Sequence, residues 1–463
     1  MNMSIGNSQL GNEAIQRILC GGKKVYFVGI GGIGMQGLAV LLKKRGYTVW
    51  GSDRAESKGV CRLRSQGIDV HVGHRAAGPA GADLVVYTLA LSPDNPELLY
   101  AQKAGIPCIS RAELLGWVMS GYRRRVAVAG MHGKSTVTGM LAAAMRQANP
   151  TVISGAPLCP DGEAYRLGGN GLFLCEACEY MDSFLKLQPD LSIALNMEME
   201  HVDYFRSEEQ LSGSFSRYLH AARQILLPCD CSALSVLAAG RDREDVFRFG
   251  TASDADARAE RISWHEGCAR FRFVFRGREA GNVSLALPGE HNLRNALAAL
   301  GAAAILGADL TQACEDLSAF RGVGRRLEKR GSFRGMTVYT DYAHHPTEIT
   351  ASLAALRGVM GKEGRLFCAF QPHTYSRTEA FADRFAQSLS AADRVYMLPI
   401  YAAREENLSG ICAKDIADRI PGACTVCGEE LEKRLTEEGR AGDFVVLMGA
   451  GDIDRWAERL TEA

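Results

Sequence analysis

No charge of one sign dominates this 463-residue chain, in which 53 lysines and arginines balance 53 aspartates and glutamates. That balance removes the basic excess that a nucleic-acid coat or a polybasic membrane binder needs, so neither nucleic acid nor membrane is expected as a partner. Long hydrophobic runs are missing too: no stretch reaches the roughly 18 uncharged apolar residues of a spanning helix. The opening residues MNMSIGNSQLGNEAIQRILCGGKK lack a basic segment followed by an apolar core, which predicts a chain that stays in the cytoplasm. Prolines number only 14, and neither a low-complexity tract nor a short repeat interrupts the chain. With 47% hydrophobic and 23% charged residues, the composition is that of a folded enzyme and not of a disordered segment.

Cysteine is not scarce, at 14 residues, but it is scattered through a long chain without a secretion signal. Reduced thiols acting as small buried hydrophobes are expected, not disulfides. The pairs Cys175–Cys178 and Cys424–Cys427 have zinc-like spacing, yet each lies in or beside an apolar run without the glycine turn of a zinc knuckle. Both, with Cys229 and Cys231, are read as core cysteines.

At roughly 100 to 200 residues per domain, the length suggests about three domains. Between residues 24 and 120, short apolar strands (KVYFVGI, YTVWGSD, ADLVVYTL, IPCIS) alternate with amphipathic helices, a pattern that implies a parallel sheet. The polar break SGYRRR precedes a second strand-loop-helix unit, GVGRR marks its end, and the strand MTVYTDY opens a third doubly wound pattern. The expected fold is α/β throughout. A Rossmann-like parallel sheet occupies residues 1–121, a P-loop ATPase-like α/β domain residues 122–323, and a second Rossmann-like domain residues 324–463.

Two glycine-rich turns follow strands and open helices, where backbone N–H groups and the helix N-terminus favour phosphate. The turn GIGGIG contains Gly29, Gly31, Gly32 and Gly34, and about 20 residues on, Ser52 and Asp53 end the next strand, where a dinucleotide site places its ribose carboxylate. NAD, FAD or another nucleotide diphosphate all satisfy that pattern. The second turn, AGMHGKST, has Gly130, His132 and Gly133, then Lys134 as a cation for the outer phosphates, Ser135 as a hydroxyl for Mg²⁺, and Thr136. A dinucleotide-dependent oxidoreductase gives this second turn no role.

The motifs GIGGIGMQGLA, DNPE, AGMHGKST, SFLKLQPD, NMEMEHVD, GEHNLRNALAA, GVGRRLE, DYAHHPTEI and FQPHTYSRT, in this order, resemble the ATP-dependent Mur ligases of peptidoglycan synthesis over essentially the whole chain. The likeness is strongest to the branch that joins L-alanine to UDP-N-acetylmuramate. It implies that the first turn, with Ser52, Asp53 and Arg111, holds the UDP-sugar, and that the second holds ATP with Mg²⁺ on Ser135, Glu176 and His201. It further implies that His291, Asn292, Asn295, Arg326 and Asp341 complete the ATP site. Tyr342, His344, His373 and Arg377 would surround the incoming amino acid, with Arg377 clamping its carboxylate. Lys134, Glu176, His201, Arg326 and His344 are the expected catalytic set, acting by positioning and charge stabilisation on an acyl phosphate. A monomer or homodimer is expected.

The chain departs from the family's pattern at Leu89, Met131, Ala164, Cys178, Met181 and Thr374, the last replacing an arginine in FQPHTYSRT. These changes cluster at substrate contacts and leave two alternatives open. One is a ligase with altered amino-acid or peptide specificity; the other is a non-catalytic paralogue that binds a sugar nucleotide.

Overall fold

The computed structural model describes residues 10–462 except 93, 159–161, 362 and 404. Three sheets follow one another along the chain. The first has five parallel strands, with Lys24–Val28 at its centre between Thr48–Asp53 and Leu84–Tyr87. The second has ten strands, with Arg124–Ala129 between Leu172–Glu176 and Leu191–Ala194 in a parallel core. Past Val246–Gly250 and Ala257–His265 the pairing turns antiparallel through Cys268–Phe275 and Arg278–Pro288, as the alternating FRFVF and VSLALP runs allow. The third sheet has six strands, parallel except for the hairpin Glu328–Phe333 with Met336–Asp341.

The central strands read as continuous apolar runs because helices cover both faces, and Val126, Val128, Ile193 and Leu174 are fully buried. Side chains from the first sheet and from one face of the second share a single apolar cluster, which joins Phe27, Leu38 and Trp117 to Phe173, Phe184 and Phe215. Gly37 lies where the helix Ile33–Lys44 crosses the second sheet, and a Cβ there would stand 2.8 Å from both Ile153 Cδ1 and Tyr165 Cβ. The third sheet keeps its own clusters around Phe370, Phe385 and Val445. It meets the second partly through charged side chains, and this polar seam carries the site. Among the described residues no helix is long and apolar enough to cross a membrane.

Cys175, Cys314 and Cys368 are buried as expected and Cys178, Cys229, Cys231 and Cys424 are half-buried, but Cys427, at the start of the helix Gly428–Glu438, is exposed, as are Cys20, Cys61 and Cys412, which corrects the buried reading for those four. Cysteine is absent from the groups of metal-capable side chains found among the described residues.

Candidate active site

The strand Arg124–Ala129 ends at Gly130 (φ 132°), and the turn closes at Gly133 (φ 85°), just before the helix Lys134–Ala144. Both angles lie where glycine alone is comfortable. Lys134 Nζ folds back over the loop, donating to Gly130 O at 2.5 Å and to Glu179 Oε1 at 3.1 Å. Burial opposes both charges, yet the carboxylate raises the pKa of Lys134 and the ammonium lowers that of Glu179. His201, in the left-handed region at φ 50°, brings Nε2 to 3.3 Å from Glu179 Oε1 and 3.9 Å from Glu200 Oε2. Glu179, Glu200 and His201 thus offer ligand atoms within 4.8 Å of one another.

The expected metal set is gathered differently. His201 faces Glu179, whereas Glu176, at the end of its strand, accepts from Ser154 Oγ at 2.9 Å and from the Gly155 N–H. Ser135 stands buried in the first turn beside Lys134. Carboxylate oxygens with one imidazole form a donor set that suits Mg²⁺ better than a soft metal.

A cleft of about 250 Å³ opens from the phosphate loop towards the third sheet. Of the expected ATP residues, His132, Gly133, Thr136, His291, Asn292, Asn295, Arg326 and Asp341 line it, while Gly130, Lys134 and Ser135 are not among its lining residues. Asn292 is fixed through Nδ2 to Pro288 O at 2.8 Å and in turn accepts from Asn295 Nδ2 at 3.2 Å. Burial pushes the pKa of His291 down to about 4, so its ring is neutral at physiological pH. Asp341 accepts from Ser352 Oγ at 2.6 Å, and Arg326 Nη1 lies 3.3 Å from Glu348 Oε1.

A second cleft, of about 650 Å³, runs from the first glycine loop to the third sheet. Gly29, Gly31, Gly32, Asp53 and Arg54 form one wall, Tyr180, His201 and Asp203 the middle, and His373, Thr374, Arg377 and Tyr401 the far wall. Asp53 Oδ2 accepts from the Gly31 N–H at 2.8 Å and so holds the loop in shape. Ser52 is a correction. Neighbours in a strand point to opposite faces, and Ser52 is fully buried on the far side, donating to Glu97 Oε2 at 2.5 Å. Gly34 and Arg111 also lie off the cleft, packed on each other within the first domain's helices. Tyr342 and His344 are not on its wall either: Tyr342 lies beneath the guanidiniums of Arg325 and Arg326, and His344 Nδ1 faces Tyr342 O at 2.8 Å.

Three acids with no assigned role in the sequence reading organise the seam. Glu198 and Glu348 flank His132, at 3.8 Å and 3.4 Å. Burial alone would lower the pKa of His132, but these carboxylates hold it at about 9. Glu200 accepts from Arg377 Nη2 at 2.7 Å. The alternation of acids in NMEMEH was the available signal, whereas their partners, 149 and 177 residues away, were not readable from spacing. Thr374, on the cleft wall, has φ 64° and ψ 148°, a region β-branched residues rarely enter.

Family models match the chain in three places: "Mur ligase family, catalytic domain" at residues 24–123, "Mur ligase middle domain" at 169–303 and "Mur ligase, glutamate ligase domain" at 325–451. A UDP-N-acetylmuramate–L-alanine ligase of Caldanaerobacter subterraneus subsp. tengcongensis is 39% identical over 95% of this chain and 97% of its own length. A ligase of the same name from Agathobacter rectalis is 40% identical over 94% and 97%. Among solved structures, the UDP-N-acetylmuramate-alanine ligase of Thermotoga maritima aligns with a TM-score of 0.80 at 27% identity, covering 95% of this chain and 98% of that one. A murein peptide ligase of Psychrobacter arcticus aligns at 0.73 and 26% identity with the same coverage. With two phosphate-type loops facing separate clefts and relatives alike from end to end, the chain belongs to the Mur ligase family.

Proposed function

We propose that this protein is a cytoplasmic, ATP-dependent ligase that joins L-alanine to the lactoyl carboxylate of UDP-N-acetylmuramate in peptidoglycan precursor synthesis. One observation carries the reading: the first cleft ends on His132 and Gly133, the second reaches His201 and Tyr180, and Lys134 and Glu179 lie between them. Substrates held in the two clefts would meet at that cluster.

ATP, a substrate here, would lie in the first cleft with its outer phosphates towards Gly133 and Lys134. The UDP portion would rest on the N–H groups of the first glycine loop, and the amino acid beside His373 and Arg377. The lactoyl carboxylate oxygen attacks the γ-phosphorus, the bond to ADP breaks, and an acyl phosphate forms. The amine lone pair of alanine then attacks the carbonyl carbon, the C–O bond to phosphate breaks, and the nitrogen loses a proton to give the amide. Lys134 exchanges Glu179 for the phosphoryl oxygens and offsets their charge, while Arg326 supports them from the third domain. Glu179 and His201, with Ser135 in the first turn, would hold Mg²⁺. Mg²⁺ would neutralise charge on the phosphates. Because three substrates meet at one seam, orientation supplies much of the rate.

Phosphate release from ATP tests the reading, with UDP-N-acetylmuramate and L-alanine added separately and together, and with glycine, L-serine and a short peptide as competing amines. Release that needs both partners and prefers L-alanine supports it. Preference for a peptide favours a second reading, which Thr374 on the amino-acid wall and the likeness to a murein peptide ligase make specific. Binding of the sugar nucleotide without turnover would point to a non-catalytic paralogue.

A further inference from the structure

Glu200 is 3% exposed and lies where the second and third domains meet. Three nitrogen-bearing side chains face it: Arg377 Nη2 at 2.7 Å and His344 Nε2 at 3.5 Å on one oxygen, and His201 Nε2 at 3.9 Å on the other. The shortest contact by far is to Arg377, which is itself only 8% exposed and shares Nη1 with His373 Nδ1 at 3.1 Å. Arg377 and His373 form part of the second cleft's wall, whereas Glu200 stands behind them. A guanidinium carries five N–H donors in a rigid fork. One is taken by Glu200 behind and one is shared with His373 on the wall, so the plane is fixed and the others remain for a ligand in the cleft.

We infer that Glu200 is a positioning residue that holds the guanidinium of Arg377 ready for the carboxylate of the incoming amino acid. The inference rests on the ligase reading above. Because Glu200 belongs to the central domain and Arg377 to the C-terminal one, the amino-acid site is assembled only when the two dock. A flexible arginine without this anchor would have to be ordered by the substrate itself, and affinity for the amino acid would fall while phosphoryl transfer continued.

The experiment uses the full-length protein and its Glu200→Gln, Arg377→Ala and doubly substituted forms. Two reactions are compared. One is amide formation with varied L-alanine; the other is trapping of the acyl phosphate by hydroxylamine, whose nitrogen attacks the carbonyl carbon and expels phosphate without needing a carboxylate clamp. Glu200→Gln is expected to raise KM for L-alanine about ten- to a hundred-fold, the range for a lost charge-assisted contact. Hydroxamate formation, which needs no carboxylate clamp, should fall about tenfold less than amide formation at low L-alanine. In the Arg377→Ala background the second substitution should add almost nothing, and Glu200→Asp, which keeps the charge, should recover part of the loss. If Glu200→Gln does not fold, Glu200→Asp carries the same comparison. Equal loss of hydroxamate and amide would place Glu200 in the phosphate site and overturn the inference, as would an unchanged KM or additive effects. If the unsubstituted protein makes neither product, the ligase reading itself fails.

Discussion

Removing the Lys134 ammonium should damage this protein in two separable ways. In the free protein Lys134 Nζ sits 3.1 Å and 3.2 Å from the two oxygens of Glu179, whose side chain is 1% exposed. Lys134→Met leaves that carboxylate buried without its cation, a change that typically costs about 3–5 kcal/mol. For a domain of this size the loss corresponds to a fall of about 6–20 °C in the central domain's unfolding midpoint. Replacing both partners with neutral groups of similar volume removes the buried charge, so Lys134→Met with Glu179→Gln should return to within about 1 kcal/mol of the parent. Catalysis follows a different rule. Loss of one preorganised charge at the transferred phosphoryl group lowers turnover about a hundredfold or more, and the second substitution does not restore it. Thermal unfolding followed by circular dichroism, with phosphate release measured on the same samples, separates the two effects. A double variant as unstable as Lys134→Met would refute the ion-pair argument; recovered turnover in the double variant would refute the catalytic one.

Other consequences follow from single contacts. His132 has a folded-state pKa of about 9, against an ordinary value of 6.5. Its pairing with Glu198 and Glu348 therefore stabilises the seam fully below about pH 6.5 and is lost as pH rises through about 9. The unfolding midpoint should decline between pH 7 and 10, and His132→Gln should flatten that decline; a parallel decline in the variant would assign it elsewhere. Thr374→Arg places a second guanidinium on the amino-acid wall and should lower KM for L-alanine about tenfold or more, a charge-assisted contact being worth roughly 1.5–3 kcal/mol. An unchanged KM would mean that position 374 does not reach the carboxylate. Gly37→Val sets new atoms against Ile153 and Tyr165, which a Cβ would already meet at 2.8 Å. It should destabilise the junction of the first two domains by about 1–3 kcal/mol, read as a lower urea midpoint.

What the sequence made legible was the chemistry that local spacing dictates. A strand, two glycines, a lysine and a helix can be read in a line because phosphate binding uses contiguous backbone, and Gly130 and Gly133 do carry the positive φ values that the turn requires. The parallel cores of the three sheets were legible for a similar reason, since apolar runs buried on both faces announce themselves. Ser52 and Asp53 show where a linear reading fails. Strand alternation ensures that only one of the two faces the loop, but the choice depends on the buried network around Glu97, which draws on Tyr26, His74 and Arg75 from separate segments. Glu198, Glu200 and Glu348 were visible as letters, yet each acts across a domain seam. Gly37 likewise reads as an ordinary helix residue until the second sheet is laid against it.

The central claim is that a carboxylate is activated by phosphoryl transfer before the amine attacks. UDP-N-acetylmuramate labelled with ¹⁸O in its lactoyl carboxylate, turned over with ATP, Mg²⁺ and L-alanine, tests this directly by mass spectrometry of the released phosphate. The account predicts that one labelled oxygen passes to phosphate for each amide formed, because the acyl C–O bond is the one that breaks. Unlabelled phosphate accompanying amide formation, or label appearing in AMP, would contradict it.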